Sequence, residues 1–409
     1  MIAGAVALAV VIGLAMAPER QDASHLGRGI LAAVGIGLVA VRLWLVRTPR
    51  AEVWLRAALA GVVTFGWFNY FQFDRDVLTG INDYTDTAYY YTNSKYLGEL
   101  GYDGLYVGAL LCDQERGSPR TAGVQQIRDL RDDELINQGN GFPARAFEHG
   151  RQVKANFTPA RWQQFCHDID YFLDRLSKRS LETNFFVDHG YNPPPTWSIV
   201  GGNLARIVPV EHLKLICMAD AVLVAVMFVV LGWAFGLETM LWVSLFYVTT
   251  FSGRWPLLGA AIMRFDWVVA LAIGMALLRV QRYGAAGVAL AYAAMNRVFP
   301  AIFFWGWLVE AVLDSWPERR VPRKHLALAG AAALTTAVMV GMAAVSTAAA
   351  AARHVGPPPQ DAQRELQLAP VWPRHSSPST GARDERDQIR AFRLPRVPLH
   401  GGASSSSAR

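Results

Sequence analysis

Long apolar runs separated by short basic loops occupy both ends of the chain, and a long polar segment lies between them. A helix that crosses a bilayer needs about 20 apolar residues, and these runs are typical of such helices. We therefore predict an all-α integral membrane protein with about nine spans and a large extracytoplasmic loop domain. The predicted spans come from the runs Ile2–Ala17, Gly29–Val46, Leu55–Phe73, Leu213–Leu237, Met240–Phe251, Leu257–Val280, Tyr283–Leu313 and Leu326–Ala352.

The runs also set the predicted domain boundaries. Residues 1–54 hold two N-terminal transmembrane spans, residues 55–73 a span leading to the loop, residues 74–207 the loop domain, and residues 208–352 a C-terminal transmembrane bundle. The first run lacks a basic flank, and a cleaved signal peptide is the alternative to an uncleaved span. Residues 353–409 are rich in Arg, Pro and Ser, which is typical of a disordered tail; an artefactual end that replaced the natural C-terminus is the alternative.

Two segments carry more specific patterns. In residues 158–179, apolar positions recur at helical spacing after Thr158, a suitable cap, and Pro159, which suits the first helical position. We predict an amphipathic helix there. Between Tyr283 and Leu313, Pro300 interrupts the apolar run, so two short helices that meet at a proline turn are expected.

Composition and charge support the membrane interpretation. The 409 residues are 52% hydrophobic, with a formal net charge of +6. Mean hydropathy is +0.19, which is high for a soluble protein of this length. The basic residues cluster in short loops beside apolar runs, which favours membrane topology over nucleic-acid binding. The rule that basic loops stay inside places residues 74–207 outside a bacterial inner membrane.

The chain has three cysteines, and none of them shows a metal-ligand spacing. Cys112 and Cys166 lie in the polar segment, where they form either a disulfide or two unrelated thiols. The acidic triplet at 74–76 (DRD) resembles a metal motif of nucleotide-sugar enzymes but follows a membrane exit directly. We therefore predict no cofactor; a divalent metal is not indicated.

Three motifs in a fixed order resemble a known family. They read DYTDTAYYYTNSKYLGELGYDGLY at the start of the loop, GYNPPPTW at its end, and RYGAAGVALAYAAMNRVFPAIFF in the C-terminal bundle. This order, over residues 55–315, is similar to that of the GT-C glycosyltransferases that use polyprenyl-phosphate sugars. The closest branch is that of the bacterial polyprenol-phosphate-mannose-dependent mannosyltransferases. The chain departs from that pattern in having Arg297 where the family has Lys, a longer loop, and extra N-terminal spans.

The resemblance implies a GT-C-like bundle that transfers a hexose, mannose-like, from a polyprenyl-phosphate donor to a glycan or lipid acceptor with inversion. An acceptor hydroxyl needs a carboxylate within hydrogen-bond reach to take its proton. Asp86 stands near the family's spacing from the tyrosine pair and is the predicted base, with Asp83 as the second candidate. Ordinary solvated charges or a helix N-cap are the alternatives for both acids.

Further residues are expected to bind substrate. Tyr89 and Tyr90 suit stacking on a sugar, with a plain aromatic belt as the alternative. Lys95 either neutralises a phosphate or pairs with Glu99. His189 and Tyr191 lie at the stiff return of the loop, where a structural turn is the alternative.

Charged residues beside the apolar runs are candidates because charges there are costly. Arg297 or Arg254 is predicted to bind the lipid phosphate, and Arg264 and Asp266 are predicted to neutralise each other or to line the pocket. Snorkelling of the side chains to the membrane surface and internal ion pairs are the alternatives for all four. Other functions that fit the sequence are a non-catalytic transporter or flippase of lipid-linked sugars, and an inactive relative of the enzymes. Membrane lipids are the remaining expected partner.

Overall fold

Helices account for most of the described chain. A computed structural model describes residues 20–117, 120–250, 253–255, 259 and 261–354. Four helical segments are long and apolar enough to cross a membrane: Ser24–Trp44, Pro49–Tyr70, Val210–Phe235 and Arg323–Val345. The protein is thus a helical membrane protein. The predicted first span at 2–17 and the tail beyond residue 354 lie outside the described residues.

The first two described helices, α1 (Arg20–Trp44) and α2 (Pro49–Tyr70), form an antiparallel hairpin. Thr48 begins α2 by accepting a hydrogen bond from the Ala51 amide at 3.2 Å, and Pro49 takes the first helical position. At the other end of the hairpin, Ser24 donates to the Asn69 carbonyl and the Asn69 side chain donates to the Ser24 carbonyl, both at 3.1 Å. These reciprocal bonds fix the register of the hairpin.

The loop domain is a set of short helices with one small sheet. Its helices are α3 (Arg75–Thr79), α4 (Tyr84–Ala88), α5 (Leu97–Leu100), α6 (Leu105–Glu115), α7 (Ala144–Lys154), α8 (Pro159–Leu173), α9 (Lys178–Ser180) and α10 (Pro195–Ile207), with π-helical turns at Tyr89–Asn93 and Leu181–Phe185. Strands β1 (Gln126–Asp129) and β2 (Glu134–Asn137) form an antiparallel hairpin in which Ile127 faces Ile136. This hairpin departs from the all-α prediction; both isoleucines are buried, so it covers part of the core.

The predicted amphipathic helix at 158–179 is confirmed at its start. Thr158 accepts from the Arg161 amide at 3.3 Å, and Pro159 occupies the first turn of α8. The helix ends at Leu173, earlier than expected, because Ser177 caps the separate helix α9 through the Ser180 amide. Its buried side consists of Trp162, Phe165, Cys166, Asp168, Ile169, Phe172 and Leu173.

A disulfide joins α6 to α8. Cys112 and Cys166 are bonded, with their Cα atoms 5.4 Å apart, and Cys217 is a buried free thiol. Of the two alternatives for the loop cysteines, the structure has the bonded one. The bond closes a sequence separation of 54 residues and therefore restricts the unfolded chain substantially.

Reduction of this disulfide is expected to destabilise the loop domain by about 2–4 kcal/mol. The thermal unfolding temperature of the purified protein should therefore fall when a reductant is added. A Cys112→Ser/Cys166→Ser protein is the matched control, because it should unfold at a low temperature that reductant does not change. An unfolding temperature of the wild type that is insensitive to a reductant shown to free both thiols would contradict this expectation.

The C-terminal helices are α11 (Leu213–Cys217), α12 (Ala219–Phe235), α13 (Leu237–Thr249), α14 (Asp266–Arg279), α15 (Tyr283–Asn296), α16 (Phe303–Glu318) and α17 (Arg323–His354). The predicted break between Tyr283 and Leu313 is confirmed, since α15 ends at Asn296 and a 3-10 turn containing Pro300 precedes α16. Helices α13 to α16 have 13 to 16 residues, which is short for a full crossing. The predicted count of about nine spans is therefore not confirmed.

A carboxylate ties the basic hairpin loop to the C-terminal helices. Glu238, at the start of α13, lies 3.1 Å from Arg42 and 3.0 Å from Arg56, measured between charged side-chain atoms. These arginines flank the loop between α1 and α2. The paired charges hold α13 against the hairpin at the end opposite to the loop domain.

Candidate active site

Asp86 forms an ion pair across the junction between the loop domain and the C-terminal helices. Its Oδ2 atom lies 2.9 Å from Nη2 of Arg264, which stands in the turn before α14. The two side chains keep 22% and 16% of their surface exposed, respectively. The carboxylate is thus shielded from bulk water but remains accessible to a small group.

Two arginines and one tyrosine complete a cluster around this pair. The Arg264 guanidinium lies 4.5 Å from the centre of the Tyr90 ring, and Arg297 donates to the Tyr90 hydroxyl at 3.3 Å. The Tyr90 hydroxyl donates in turn to the Asn192 side chain at 3.3 Å. We call Asp86, Tyr90, Arg264 and Arg297 the Asp86 cluster. It brings together residues that the sequence places in two separate motifs and in a turn between two helices.

A π-helical turn gives the three consecutive tyrosines different environments. Tyr89 donates to the Phe185 carbonyl and Tyr91 to the Val208 carbonyl, both at 2.8 Å, and only Tyr90 faces the cluster. All three are at most 2% exposed, so an aromatic belt at the lipid surface does not describe them. Tyr89 lies in the aromatic core of the loop domain. Such π-turns often occur at functional sites because they redirect side chains.

Asp83 serves as a helix cap. Its Oδ1 atom accepts hydrogen bonds from the Thr85 amide at 2.8 Å and the Asp86 amide at 3.2 Å. These bonds satisfy free donors at the start of α4 and hold Asp86 at a fixed position. The N-cap alternative from the sequence thus describes Asp83.

Lys95 belongs to a buried ion pair, and its partner differs from the expected one. Its Nζ atom lies 2.7 Å from Asp168, and the two side chains are 4% and 3% exposed. Tyr96 also donates to Asp168, at 2.8 Å. The expected partner, Glu99, pairs instead with Arg161 at 3.0 Å. Lys95 therefore joins the start of the loop domain to α8.

Asp266 is satisfied by neutral partners. Its Oδ2 atom accepts from the Tyr292 hydroxyl at 2.8 Å and from the Asn296 side chain at 3.0 Å, and Oδ1 accepts from the Trp267 amide at 2.6 Å. The expected mutual neutralisation of Arg264 and Asp266 is therefore wrong, because Arg264 pairs with Asp86. Asp266 instead positions the end of α15, directly before Arg297.

The remaining candidates lie at separate positions. His189 is exposed and lies 2.9 Å from Asp133, and the buried Tyr191 shares a 2.5 Å hydrogen bond with Ser198. Arg254 lies within electrostatic range of Arg28, an arginine of α1. These positions give His189 and Tyr191 structural partners within the loop domain.

Several residues near the candidates were not singled out from the sequence. Asn192 and Trp197 both contact Tyr90, and Trp197 does so edge-on at 4.9 Å between ring centres. The NPPPTW segment, which begins with Asn192 and ends with Trp197, is the one feature of the sequence that points to them. Arg28 is 4% exposed, and its guanidinium nitrogens have no hydrogen-bond partner among the described residues. A lone arginine directly before an apolar run is the signal that could have identified it.

Burial raises the pKa of Asp86 above the ordinary value for an aspartate. Arg264 and Arg297 act in the opposite direction, whereas the negative charges of Asp83 and Asp188 raise this pKa further. The net effect is a carboxylate that is more basic than an exposed one. A raised pKa with a named cationic partner is common at functional sites.

A cluster of two acidic residues and one histidine that could hold a metal lies elsewhere among the described residues. Glu310, Asp314 and His325 place one ligand atom each within 4.8 Å of one another. The Lys324 ammonium lies 2.6 Å from Asp314 and 3.1 Å from Glu310, so a cation already neutralises these acids. The group therefore carries no argument for a metal.

Comparisons with protein-family models, with curated proteins and with solved structures find no match for this chain.

Proposed function

We propose that the protein is an inverting membrane glycosyltransferase that moves a hexose, mannose-like, from a polyprenyl phosphate to a glycan or lipid acceptor. The observation that carries this proposal is the Asp86 cluster, in which a carboxylate of raised pKa pairs with Arg264 and a second arginine, Arg297, contacts the neighbouring Tyr90 hydroxyl. Such a reaction needs one base for the acceptor and positive charge for the leaving phosphate.

The proposed step forms one bond and breaks one. The acceptor oxygen attacks C1 of the hexose from the face opposite to the phosphate, and its proton passes to Asp86. The bond between C1 and the phosphate oxygen breaks, and its electron pair leaves with the lipid phosphate. Arg297 holds that phosphate through charge-assisted hydrogen bonds. Arg264 favours the ionised form of Asp86 in the resting enzyme.

The proposed location is the outer face of a bacterial inner membrane, with residues 74–207 outside the cytoplasm. The basic loop around Arg47–Arg56 lies at the other end of the hairpin from the loop domain, as the distribution of positive charge requires. The Cys112–Cys166 disulfide supports this orientation, because such bonds persist in oxidising compartments.

The experiment that tests the proposal uses purified wild-type protein in detergent. It is incubated with radiolabelled polyprenyl-phosphate mannose or glucose and an extract of envelope lipids and glycans, with nucleotide-linked mannose as the comparison donor. Label should move from the lipid phosphate donor to an acceptor, and none should move from the nucleotide donor. Absence of transfer from every lipid donor by a folded protein would reject the enzyme. In that case, movement of the lipid-linked sugar across proteoliposome membranes would support a transporter instead.

Transfer is expected to decline as the pH is lowered, because Asp86 must be deprotonated to act as a base. Since burial raises its pKa, the decline should begin at a higher pH than for an exposed aspartate. Replacing Arg264 by glutamine removes a cation that favours the ionised form. The acidic limb of the kcat/KM profile should therefore move to still higher pH.

His189→Gln is the control for that profile, since the partner of His189 is Asp133 and not a member of the Asp86 cluster. Its acidic limb should coincide with that of the wild type. An acidic limb that stays in place in Arg264→Gln but moves in His189→Gln would contradict a base role for Asp86.

A further inference from the structure

A cavity lies between the loop domain and the last membrane helix. It has a volume of about 1160 Å³ and is closed on one side by α17. The wall from α17 is apolar and consists of Ala337, Val338, Gly341, Met342 and Val345. We call this cavity the α17 groove.

The position of this wall relates the α17 groove to the bilayer. The apolar span of α17 runs from Arg323 to Val345, so the wall occupies the last part of the span on the side of the loop domain. Val338, Met342 and Val345 are 50%, 49% and 71% exposed. Apolar side chains in such a place meet lipid chains rather than water.

The opposite wall is mostly polar, with Leu97 and Ile199 as its large apolar residues, and it carries positive charge. It comes from the loop domain and includes Asn156, Arg161, Asn203 and Arg206. Arg161 is neutralised by Glu99 at 3.0 Å, and Lys95, which also lines the groove, is neutralised by Asp168 at 2.7 Å.

Arg206 is the remaining charge of the groove. It is exposed and donates to the neutral Asn203 side chain at 3.3 Å, and none of the described residues supplies it with a carboxylate partner. The groove therefore has one apolar wall, one polar wall, and a positive charge at the rim.

We propose that the α17 groove binds a phosphate-bearing membrane lipid in the leaflet next to the loop domain. One acyl chain lies along the apolar wall, and the phosphate lies at Arg206, between the Asn156 and Asn203 amides. An arginine at the membrane surface binds phosphate through charge-assisted hydrogen bonds, and basic pockets beside membrane helices recognise anionic headgroups in the same way. This binding does not depend on the proposed sugar transfer.

The groove is separate from the Asp86 cluster. Ser198 lines the groove, and its hydroxyl lies 2.5 Å from that of Tyr191. The Tyr191 ring in turn contacts Tyr90 at 6.0 Å between centres. One layer of aromatic side chains thus lies between the two sites, and neither Arg206 nor Gly341 belongs to the Asp86 cluster.

Filling the groove tests the proposal with a closely matched control. Gly341 lies in the apolar wall, and a Cβ atom added there has no heavy atom within 4 Å. Gly330 lies on the same helix outside the wall and offers the same free space. The ring of Gly341→Phe should therefore fill the groove without disturbing the fold, whereas Gly330→Phe adds the same ring outside the groove.

The measurement is native mass spectrometry of delipidated protein in neutral detergent with added phosphatidylglycerol, diacylglycerol or inorganic phosphate. Wild type and Gly330→Phe should retain phosphatidylglycerol, and Gly341→Phe should retain about tenfold less. Arg206→Gln should reduce retention of phosphatidylglycerol to that of diacylglycerol. Arg179→Gln, which removes an exposed charge elsewhere on the loop domain, should match the wild type.

Three results would overturn the proposal. Equal retention by Gly341→Phe and Gly330→Phe would show that the groove does not hold the lipid. Unchanged retention of phosphatidylglycerol by Arg206→Gln would show that Arg206 does not bind the lipid phosphate. Displacement of the lipid by inorganic phosphate would show that the site binds the free ion. Unfolding temperatures equal to that of the wild type would show that each variant is folded. Because no sugar donor is present, none of these results depends on the proposed function.

Discussion

An Asp86→Asn protein is expected to transfer sugar about 10²- to 10⁴-fold more slowly than the wild type while remaining folded. The amide keeps the size of the carboxylate and can accept a hydrogen bond from Arg264, but it cannot take the proton of the acceptor hydroxyl. The loss should appear in kcat, because the proton moves only as the new glycosidic bond forms. The assay is steady-state transfer from polyprenyl-phosphate hexose at saturating donor, which reports kcat.

Asp83→Asn is the matched control for that experiment. Asparagine is about as good a helix cap as aspartate, so α4 should keep its start and Asp86 its position. Transfer by this variant should remain within a few-fold of the wild type. A large loss of transfer in Asp83→Asn together with normal transfer by Asp86→Asn would identify Asp83 as the base.

A Lys95→Met protein is expected to lose about 3–5 kcal/mol of unfolding free energy. The substitution leaves Asp168 as a buried negative charge, and the Tyr96 hydroxyl is the one partner that it keeps among the described residues. Such an uncompensated charge costs more than the original pair contributed. The unfolding temperature of the loop domain should fall accordingly, as measured by scanning fluorimetry of the purified protein.

Two further variants test whether the loss of stability comes from the buried charge that is left on Asp168. Lys95→Met/Asp168→Leu removes both charges and should recover most of the stability. Lys154→Met breaks a partly exposed pair, in which Nζ lies 2.7 Å from Glu115, and should cost less than about 1 kcal/mol. A Lys95→Met protein as stable as Lys154→Met would contradict the account of Lys95 as a buried structural residue.

Features that depend on neighbouring residues could be predicted from the sequence. The Thr158 cap, Pro159 and the break at Pro300 follow from local chemistry, and the structure has all of them. Arg264 and Arg297 could be predicted as site residues because charges beside apolar runs need a partner. The sequence also placed Asp86 in the same candidate set, but it did not pair Asp86 with Arg264.

Features that depend on distant contacts could not be predicted. The Lys95–Asp168 pair joins residues far apart in the chain, and nothing near Lys95 indicates the partner. The apolar run that predicts α14 begins at Leu257, whereas the helix itself begins at Asp266. There the Asp220 side chain accepts from the Arg264 and Phe265 amides, both at 3.3 Å, which satisfies the backbone of the turn before α14.

The same contact explains how the cluster is assembled. Asp220 is buried within a membrane span and holds the turn that carries Arg264. Arg264 then reaches Asp86 on the loop domain. An intramembrane acid with no evident role in the sequence thus positions a residue of the candidate active site through the backbone.

Chemical rescue tests most directly whether Asp86 is the base. An Asp86→Gly protein lacks the carboxylate and leaves space for a small one, so transfer from polyprenyl-phosphate hexose is measured with and without added formate. The account predicts that Asp86→Gly is nearly inactive alone and regains transfer as formate is added, whereas the wild type is unaffected. Transfer by Asp86→Gly at the wild-type rate without formate, or a loss that formate leaves unchanged, would contradict the assignment of Asp86 as the base.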